Sequence, residues 1–298
     1  MRSSDVVSTT IDAVHWTAAG AVVRPSALQV RVTPGFAERV RVGAPVPARA
    51  MSPEEVDANV RHFTEGRRGP RVRPVRQVVL SGVSDPPLCV ALCERVDAWR
   101  SLGVKELVVH ASAPSVQCGA VGELPGCADR VVLTVSEVSD AQLAALDALA
   151  LGGFGVSVAL TAAVRTRLPE LVRCFAKDPP RSLAWVWPFP ALATPAPPPA
   201  HVVVKELIAA GGLQVPHARG VHLPPCVLPR GGAQDGWRTR NRYYVDADHQ
   251  LEAALLFFPD LVQWAKPDSC RFCRADRICD GVASRWLEQG LTGPLEPM

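Results

Sequence analysis

The sequence predicts an α/β fold, built as a partial (β/α)6 TIM-like barrel with a cysteine-rich C-terminal extension. The first observation is a series of six short apolar segments between residues 28 and 187, most of them separated by helical segments. Such an order is typical of a parallel sheet with helices outside it. The second observation is the number of units, since six is fewer than a closed eight-stranded barrel needs. The third is a cluster of cysteines close to the C-terminus.

The strands and helices are predicted from apolar periodicity and from capping signals. Ser52, Pro53 and Glu55 form a capping box with proline at the first helical position, and they predict a helix to about residue 66. Ser139 and Gln142 form the same signal before a helix to about residue 151. The six predicted strands span residues 28–33, 75–82, 106–110, 130–136, 155–160 and 183–187.

These elements divide the chain into four predicted segments. Residues 1–26 show no strong period and form an N-terminal extension, and residues 27–190 form the partial barrel. Residues 191–212 begin with a proline-rich linker and continue into a helix. Residues 213–298 form a C-terminal region that carries the cysteine cluster and is predicted to bind a metal or a cluster.

Composition narrows the classes of function. The formal net charge of the 298 residues is only +3, which does not favour nucleic-acid binding. No apolar run is long enough for a transmembrane helix, so no membrane partner is expected. Nine cysteines without a secretory signal predict a cytoplasmic protein in a reducing environment. The five arginines within 67–76 predict a solvated loop, with binding of an acidic partner as the alternative.

Three cysteines near the C-terminus predict a metal site. Cys270, Cys273 and Cys279 have the spacing C-x2-C-x5-C. The intervening residues of a C-x2-C pair can turn both sulfurs towards one metal, and a third thiolate can reach it from the same loop. Arginines at 271, 274 and 277 favour thiolates over thiols. Three ligands are one short of the usual four, so a fourth is expected elsewhere in the chain.

The other candidate residues have structural interpretations beside functional ones. Cys89 and Cys93 lie one helical turn apart on an apolar helix and are predicted to pack in the core. Cys118 and Cys127 bracket a glycine- and proline-containing loop, where a second metal pair is the alternative. Cys174 is predicted to be buried. At the strand ends, the residues that would line a ligand pocket are His110, Ser136, Glu137 and Thr161, and the indoles of Trp185 and Trp187 share one face of the sixth strand, where core packing is favoured.

The layout of the N-terminal part resembles the radical S-adenosylmethionine superfamily, which uses a six-unit partial barrel. Members carry C-x3-C-x2-C after the first strand, and these cysteines hold the 4Fe–4S cluster that cleaves S-adenosylmethionine. In this chain Phe36, Val40 and Gly43 occupy the three positions, and none of these side chains can ligate iron. The family's Gly-Gly-Glu-Pro after the second strand corresponds here to Gly82-Val-Ser-Asp-Pro86, in which the acidic residue is displaced or lost.

The C-terminal part resembles the auxiliary-cluster region of the same superfamily. Members that modify peptides have a Pro-x-Cys stretch, then C-x2-C-x5-C-x-Gly and an aromatic-containing helix. Here Pro224-Pro-Cys226 supplies the first element, and the cysteine loop with Gly281 and Trp286 supplies the second. The resemblance implies one 4Fe–4S cluster, while the four-thiolate geometry fits zinc equally and an empty vestigial site is a third possibility. The implied ligands are Cys226, Cys270, Cys273 and Cys279.

The resemblance implies a degenerate relative that binds one cluster and no longer cleaves S-adenosylmethionine. Such a pseudoenzyme would act as a partner or scaffold for an active enzyme, or as a peptide-binding subunit. Two alternatives stay open at this point. One is an active radical enzyme in which Cys89 or Cys118 holds the first cluster, and the other is a zinc-stapled interaction protein. The sequence does not specify a substrate, a pathway, a partner or an oligomeric state.

Overall fold

A computed structural model describes residues 25–33, 49–65, 74–83, 86–112, 120–187, 198–229, 242–257, 264–274, 279, 281–290 and 295. The strands are β1 (Ala27–Arg31), β2 (Gln77–Val83), β3 (Glu106–Ser112), β4 (Arg130–Val135), β5 (Gly155–Ala159), β6 (Ser182–Val186), β7 (Ala218–Val221), β8 (Arg242–Val245), β9 (Leu255–Phe257), β10 (Trp264–Ala265) and β11 (Val282–Ala283).

The helices fall between these strands, so the fold is α/β. They are α1 (Pro53–Glu65), α2 (Pro86–Cys93), α3 (Val96–Ser101), α4 (Leu124–Cys127), α5 (Asp140–Ala148), α6 (Ala162–Thr166), α7 (Leu168–Lys177), α8 (Ala200–Ala209) and α9 (Ser284–Glu288). None of the helices in the described ranges is long and apolar enough to cross a membrane.

Contacts divide the chain into two compact units. Unit 1 comprises residues 1–38, 43–131 and 239–259, and unit 2 comprises residues 39–42, 132–238 and 260–298. In unit 1 the strand order is β3-β2-β1-β8-β9, with β8 parallel to β1 and β9 antiparallel to β8. In unit 2 the parallel strands follow the order β7-β6-β5-β4. The four segments predicted from the sequence have other boundaries and stay a prediction.

Each unit has one more parallel strand than the sequence predicted, since β8 pairs with β1 in unit 1 and β7 pairs with β6 in unit 2. Both added strands have only four residues, and both lie in the segment expected to be a cysteine-bearing extension. Tyr243 and Tyr244 belong to β8. Barrel closure is not shown among the described residues, where β7 pairs only with β6 and β9 only with β8.

The two faces of the unit 1 sheet differ in polarity, because side chains alternate along each strand. Leu28 and Val30 lie on one face and are fully buried. Tyr243 pairs with Leu28 in register, and its ring lies 4.8 Å from that of Phe63 on α1. The helical layer therefore covers this apolar face. Gln29 and Arg31 lie on the opposite face and are buried as well.

Unit 2 has its own core around the sixth strand. Trp185 and Trp187 are both buried, which confirms the prediction that these indoles pack in the core. The ring of Trp185 lies 6.0 Å from that of Phe175 on α7. Its indole nitrogen donates to the carbonyl of Gly212 at 2.8 Å, so the polar atom of this buried side chain is paired.

Asn59 on α1 connects the N-terminal helix of unit 1 to the segment that follows β8. Its side chain is fully buried, and Nδ2 donates to Gln250 Oε1 at 3.0 Å. Its Oδ1 accepts from the backbone N–H of Leu251 at 2.8 Å. The side chain of Asn59 therefore accepts a hydrogen bond from a backbone N–H more than a hundred residues away in sequence.

We predict that Asn59→Ala lowers the free energy of unfolding by about 2 kcal/mol, because it leaves the Leu251 N–H buried without an acceptor. Urea unfolding followed by circular dichroism measures the change. Glu65→Ala, at the exposed end of the same helix, is the control and should change stability by less than about 0.5 kcal/mol. Equal stability of the two variants would contradict the assigned role of Asn59.

Glu55 gives unit 1 a specific acid sensitivity. The guanidinium of Arg49, which donates to Oε2 at 2.7 Å, lowers the pKa of Glu55 to about 2, against burial that raises it. The amide of Gln250 and the backbone N–H of Ser52 also donate to this carboxylate. A carboxyl group whose folded-state pKa is lowered stabilises the fold above its unfolded pKa of about 4.5 and loses that effect as pH falls towards 2.

We predict that Glu55→Gln is less stable than the wild type at neutral pH and that the difference shrinks as pH falls from about 4.5 to about 2. Urea midpoints measured at a series of acid pH values test this. Glu54→Gln, one residue earlier with a more exposed side chain, is the matched control. A wild-type pH profile parallel to that of Glu55→Gln would show that this carboxyl group does not carry the effect.

Candidate thiol site

The loop that carries three of the predicted ligands is closed at its base by two short strands of unit 2. β10 pairs antiparallel with β11, with Trp264 opposite Ala283 and Ala265 opposite Val282. Between them, a 3₁₀ turn at Asp268–Phe272 contains Cys270, and Cys273 follows it directly. The N–H of Cys273 donates to the carbonyl of Cys270 at 3.0 Å. The C-x2-C pair therefore lies on one tight turn, as its spacing predicted.

Gly281 fixes the chain at the far end of this loop. Its φ is +90°, a conformation that side-chain-bearing residues rarely adopt. A Cβ at this position would lie 2.2 Å from the carbonyl oxygen of Ala265 on the opposite strand. The missing side chain allows the close approach of the two backbones, and the N–H of Gly281 then donates to Sγ of Cys279 at 3.3 Å.

The fourth predicted ligand comes from a different part of unit 2. Cys226 lies on a 3₁₀ turn at Pro225–Val227, shortly after β7. His222, buried and with a φ of +66°, turns the chain after β7, and its Nδ1 lies 3.2 Å from the carbonyl oxygen of Trp187. The ring of Trp187 lies 5.9 Å from that of Trp286 on α9, the helix after the cysteine loop. These contacts connect the segment before Cys226 with the helix that follows the loop.

The ionisation of Cys226 depends on the three cysteines of the loop. Burial, and to a smaller extent Cys279, Cys270 and Cys273, raise the pKa of Cys226 to about 11. Burial also raises the pKa of Cys279, while the N–H of Gly281 and the charge of Lys266 act in the opposite direction. The backbone N–H and the cation only reduce this rise, so the pKa of Cys279 stays above its ordinary value.

The four cysteines are not arranged as a preformed metal site among the described residues. Each of them is half-buried, and none is in a disulfide. Within the described ranges no three side chains of His, Cys, Asp or Glu are placed to hold a metal ion. The donor set itself suits a soft metal, since it consists of four sulfurs, one of which accepts a backbone hydrogen bond. The assignment of the four cysteines as ligands stays a prediction.

The remaining cysteines differ in part from expectation. Cys93, expected to pack in the core beside Cys89, is half-buried and forms a disulfide with Cys127. Cys89 is buried in the core as predicted, and so is Cys174, whose burial raises its pKa to about 11. Cys118 lies outside the described residues, so a metal pair with Cys127 is not seen. The spacing of the cysteines gave no signal for a disulfide across two helices.

The predicted loss of the first cluster concerns residues that the structure does not describe. Phe36, Val40 and Gly43 lie within 34–48, outside the described ranges. The Gly82-Val-Ser-Asp-Pro86 stretch is described only in part, and Gly82 has a φ of +82° at an irregularity in the pairing of β2 with β3. The degenerate triad therefore stays a sequence-based prediction.

A second polar region lies at the carboxyl edge of the unit 1 strands. Arg31 on β1 is opposite Ser81 on β2, which is opposite His110 on β3, so these side chains share one face. Arg31 and Ser81 are buried, and Asp246, which directly follows β8, is fully buried. Asp246 Oδ1 lies 2.9 Å from Nδ1 of His249. Only His110 was predicted here. The alternation of Gln29 and Arg31 within an apolar strand was a signal for Arg31 alone.

The strand-end residues of unit 2 are structural in part. Thr161 caps α6, because its Oγ1 accepts from the N–H of Val164 at 3.2 Å and donates to the carbonyl of Ser136 at 2.9 Å. This role accounts for both Thr161 and the backbone of Ser136. Glu137 is exposed.

Comparison with known proteins adds no further assignment. No protein-family model, no curated protein and no solved structure matches this chain. The site is therefore argued from its own residues.

We predict that Gly281→Ala destabilises unit 2 by several kcal/mol, since the added Cβ would meet the Ala265 carbonyl oxygen at 2.2 Å. Gly290→Ala is the matched control. Gly290 also has a positive φ, +68°, but a Cβ there has nothing within 4 Å, so only the backbone strain of about 1 kcal/mol is expected. Thermal unfolding compares the two variants. Similar losses would mean that backbone conformation rather than close approach selects glycine at 281.

Proposed function

We propose that this chain is an iron–sulfur protein of the radical S-adenosylmethionine type that binds one 4Fe–4S cluster but does not cleave S-adenosylmethionine. Its cluster ligands are Cys226, Cys270, Cys273 and Cys279. In this proposal the protein is a partner, scaffold or peptide-binding subunit for an active enzyme rather than a catalyst. It is a cytoplasmic protein, where a reducing environment keeps the ligands as thiols.

The observation that carries the proposal is the coupling of four thiols from two distant segments. Cys226 lies 44 or more positions before the cysteine loop, yet Cys270, Cys273 and Cys279 all contribute to its raised pKa of about 11. Like groups that raise each other's pKa carry an electrostatic cost when they ionise together, and a bound cation removes this cost. Four such thiols are the ligand number that both a 4Fe–4S cluster and a structural zinc ion require.

Local hydrogen bonding favours a cluster or metal at the same place. The Gly281 N–H donates to Cys279 Sγ, and hydrogen bonds to ligand sulfurs are among the groups by which a protein adjusts the potential of an iron–sulfur cluster. When bound, such a cluster would supply one-electron transfer. The four cysteines of this chain would hold its irons in place, and Trp286 on the following helix packs against Trp187.

The lack of catalysis is inferred from the sequence of the loop after the first strand. The side chains of Phe36, Val40 and Gly43 cannot ligate the iron that binds S-adenosylmethionine in the family. The α/β arrangement with parallel strands is compatible with the family's partial barrel. The buried edge at Arg31, Ser81 and Asp246 would then serve binding rather than radical chemistry.

Zinc is the second candidate, because the same donor set satisfies it. A zinc ion would connect the Cys226 turn to the cysteine loop, and the protein would be an interaction module without a redox role. An active enzyme is the third, and it requires a second cluster in addition to the one on the four thiols. These alternatives differ in metal content and in chemistry, so one preparation separates them.

We predict that anaerobically purified full-length protein contains about four iron and four sulfide per chain, with little zinc. Cys226→Ser and Cys270→Ser should each lose most of the iron, because each removes one of four ligands. Cys174→Ala, which removes a buried thiol outside the set, is the control and should keep the iron. Metal analysis and paramagnetic resonance provide the measurements. One zinc per chain, with little iron, would contradict the iron–sulfur proposal and favour the zinc-bound interaction module.

The absence of catalysis is tested on the same preparation. Reduced, reconstituted protein is incubated with S-adenosylmethionine, and 5′-deoxyadenosine is measured by chromatography. We expect none above the level given by Cys270→Ser. Clear cleavage, together with about eight irons per chain, would assign the active alternative.

A further inference from the structure

A disulfide in unit 1 joins two elements that the proposed cluster site does not involve. It connects Cys93, the last residue of α2, to Cys127, the last residue of α4. The two cysteines are 34 residues apart in sequence, and their Cα atoms are 5.5 Å apart. This Cα separation is within the ordinary range for a disulfide.

The disulfide holds the crossover between β3 and β4 against α2. This crossover contains a 3₁₀ turn at Ala120–Glu123 and then α4, and both contact α2. Val121 and Leu124 are buried on its inner side. The turn and the helix have only four residues each. The covalent bond adds to these apolar contacts in holding residues 120–127 against α2.

The end of the crossover is held independently of the disulfide. The N–H of Asp129 donates to the carbonyl of Leu107 at 3.0 Å, and Asp129 Oδ2 accepts from the N–H of Leu107 at 2.6 Å. Arg100 pairs with the same carboxylate. The start of β4 is thus fixed to β3 by hydrogen bonds. Cleavage of the disulfide would release the turn and α4 without detaching the strand that follows.

Both redox states of the pair are accommodated. Cys93 and Cys127 are half-buried, so a small reductant or a partner dithiol can reach a sulfur, whereas Cys89 one turn earlier is buried. Sγ of Cys127 lies 3.4 Å from the carbonyl oxygen of Leu124. In the reduced protein that oxygen is in place to accept a hydrogen bond from the Cys127 thiol. Reduction therefore leaves this sulfur with a partner.

We propose that Cys93 and Cys127 are a reversible redox pair that fixes the β3–β4 crossover on α2 when oxidised and releases it when reduced. The reductant is a dithiol. One of its thiolates attacks one sulfur of the pair, the protein S–S bond breaks, and a mixed disulfide forms. The second thiolate then attacks the dithiol sulfur of this mixed disulfide and displaces the protein thiolate. The products are two protein thiols and an oxidised dithiol, with two electrons and two protons transferred to the protein.

The effect of reduction is located in the described end of the crossover, residues 120–127, which contacts α2. This role is independent of whether the thiols of unit 2 bind a metal.

The test uses the full-length protein, equilibrated in glutathione buffers from strongly oxidising to strongly reducing. Thiols are blocked with an alkylating agent and located by peptide mass spectrometry, and hydrogen exchange is measured on the same samples. We expect Cys93 and Cys127 to become alkylated together under native reducing conditions. Exchange in residues 120–127 should rise several-fold, while exchange in β4 stays unchanged.

Variants separate the effect of the bond from a general loss of structure. Cys93→Ser and Cys127→Ser should show fast exchange in residues 120–127 in every buffer. Cys89→Ala, in the same helix but outside the pair, should respond to the buffers as the wild type does. If either serine variant fails to fold, hydrogen exchange of residues 120–127 in the reduced and reoxidised wild-type protein still tests the proposal.

Three results would overturn the proposal. The pair could resist reduction until the protein is denatured, which would make it a permanent staple. The two cysteines could remain thiols even in the oxidising buffers. Reduction could also proceed without any change in exchange at residues 120–127, which would leave no conformational effect.

Discussion

The hydrogen bonding of β1 on both of its edges is the constraint on which unit 1 depends. β2 pairs with one edge and β8 with the other, and both run parallel to β1. Parallel neighbours cannot be joined by a tight turn, so each must arrive through a crossover. The apolar face of β1 then packs under α1, and its polar residues, Gln29 and Arg31, are buried on the other face. The alternation of side chains in β1 therefore determines which face of the sheet packs against helix and which face is polar.

In unit 2 the predicted ligands lie on short elements, because Cys226 and Cys270 each belong to a 3₁₀ turn. β10 and β11 have only two residues each, and their pairing depends on the absence of a side chain at Gly281. The indoles of Trp187 and Trp286, tilted by 35° with centroids 5.9 Å apart, add an apolar contact beside this short sheet. The thiols are left half-buried and close enough to affect one another's ionisation. In the proposed function, a bound metal would bring these four sulfurs into a common ligand geometry.

The fold class could be predicted because most of the apolar strands have five to seven residues, enough to differ from the polar segments beside them. β2 to β6 coincide with predicted strands, and the capping box at Ser139 is present as predicted. β7 and β8 were missed because four residues show no period, and their assignment needs partners that lie far away in sequence. The tight turn of Cys270 and Cys273 follows from their spacing. The disulfide between Cys93 and Cys127 does not, since it depends on how two helices approach each other in space.

The position of β8 has a consequence for the order in which the molecule can form. Arg242 Nη1 donates to Gln29 Oε1 across 213 residues of sequence, and both lie in unit 1. A ribosome must therefore synthesise most of unit 2 before the sheet of unit 1 can gain its strand from the C-terminal part. Until then one edge of β1 has no strand to pair with, and contacts of such long range slow folding and expose edges to wrong partners. The edge of β1 that pairs with β8 would therefore stay exposed for most of synthesis. In a chain truncated before residue 242, this edge would stay exposed permanently.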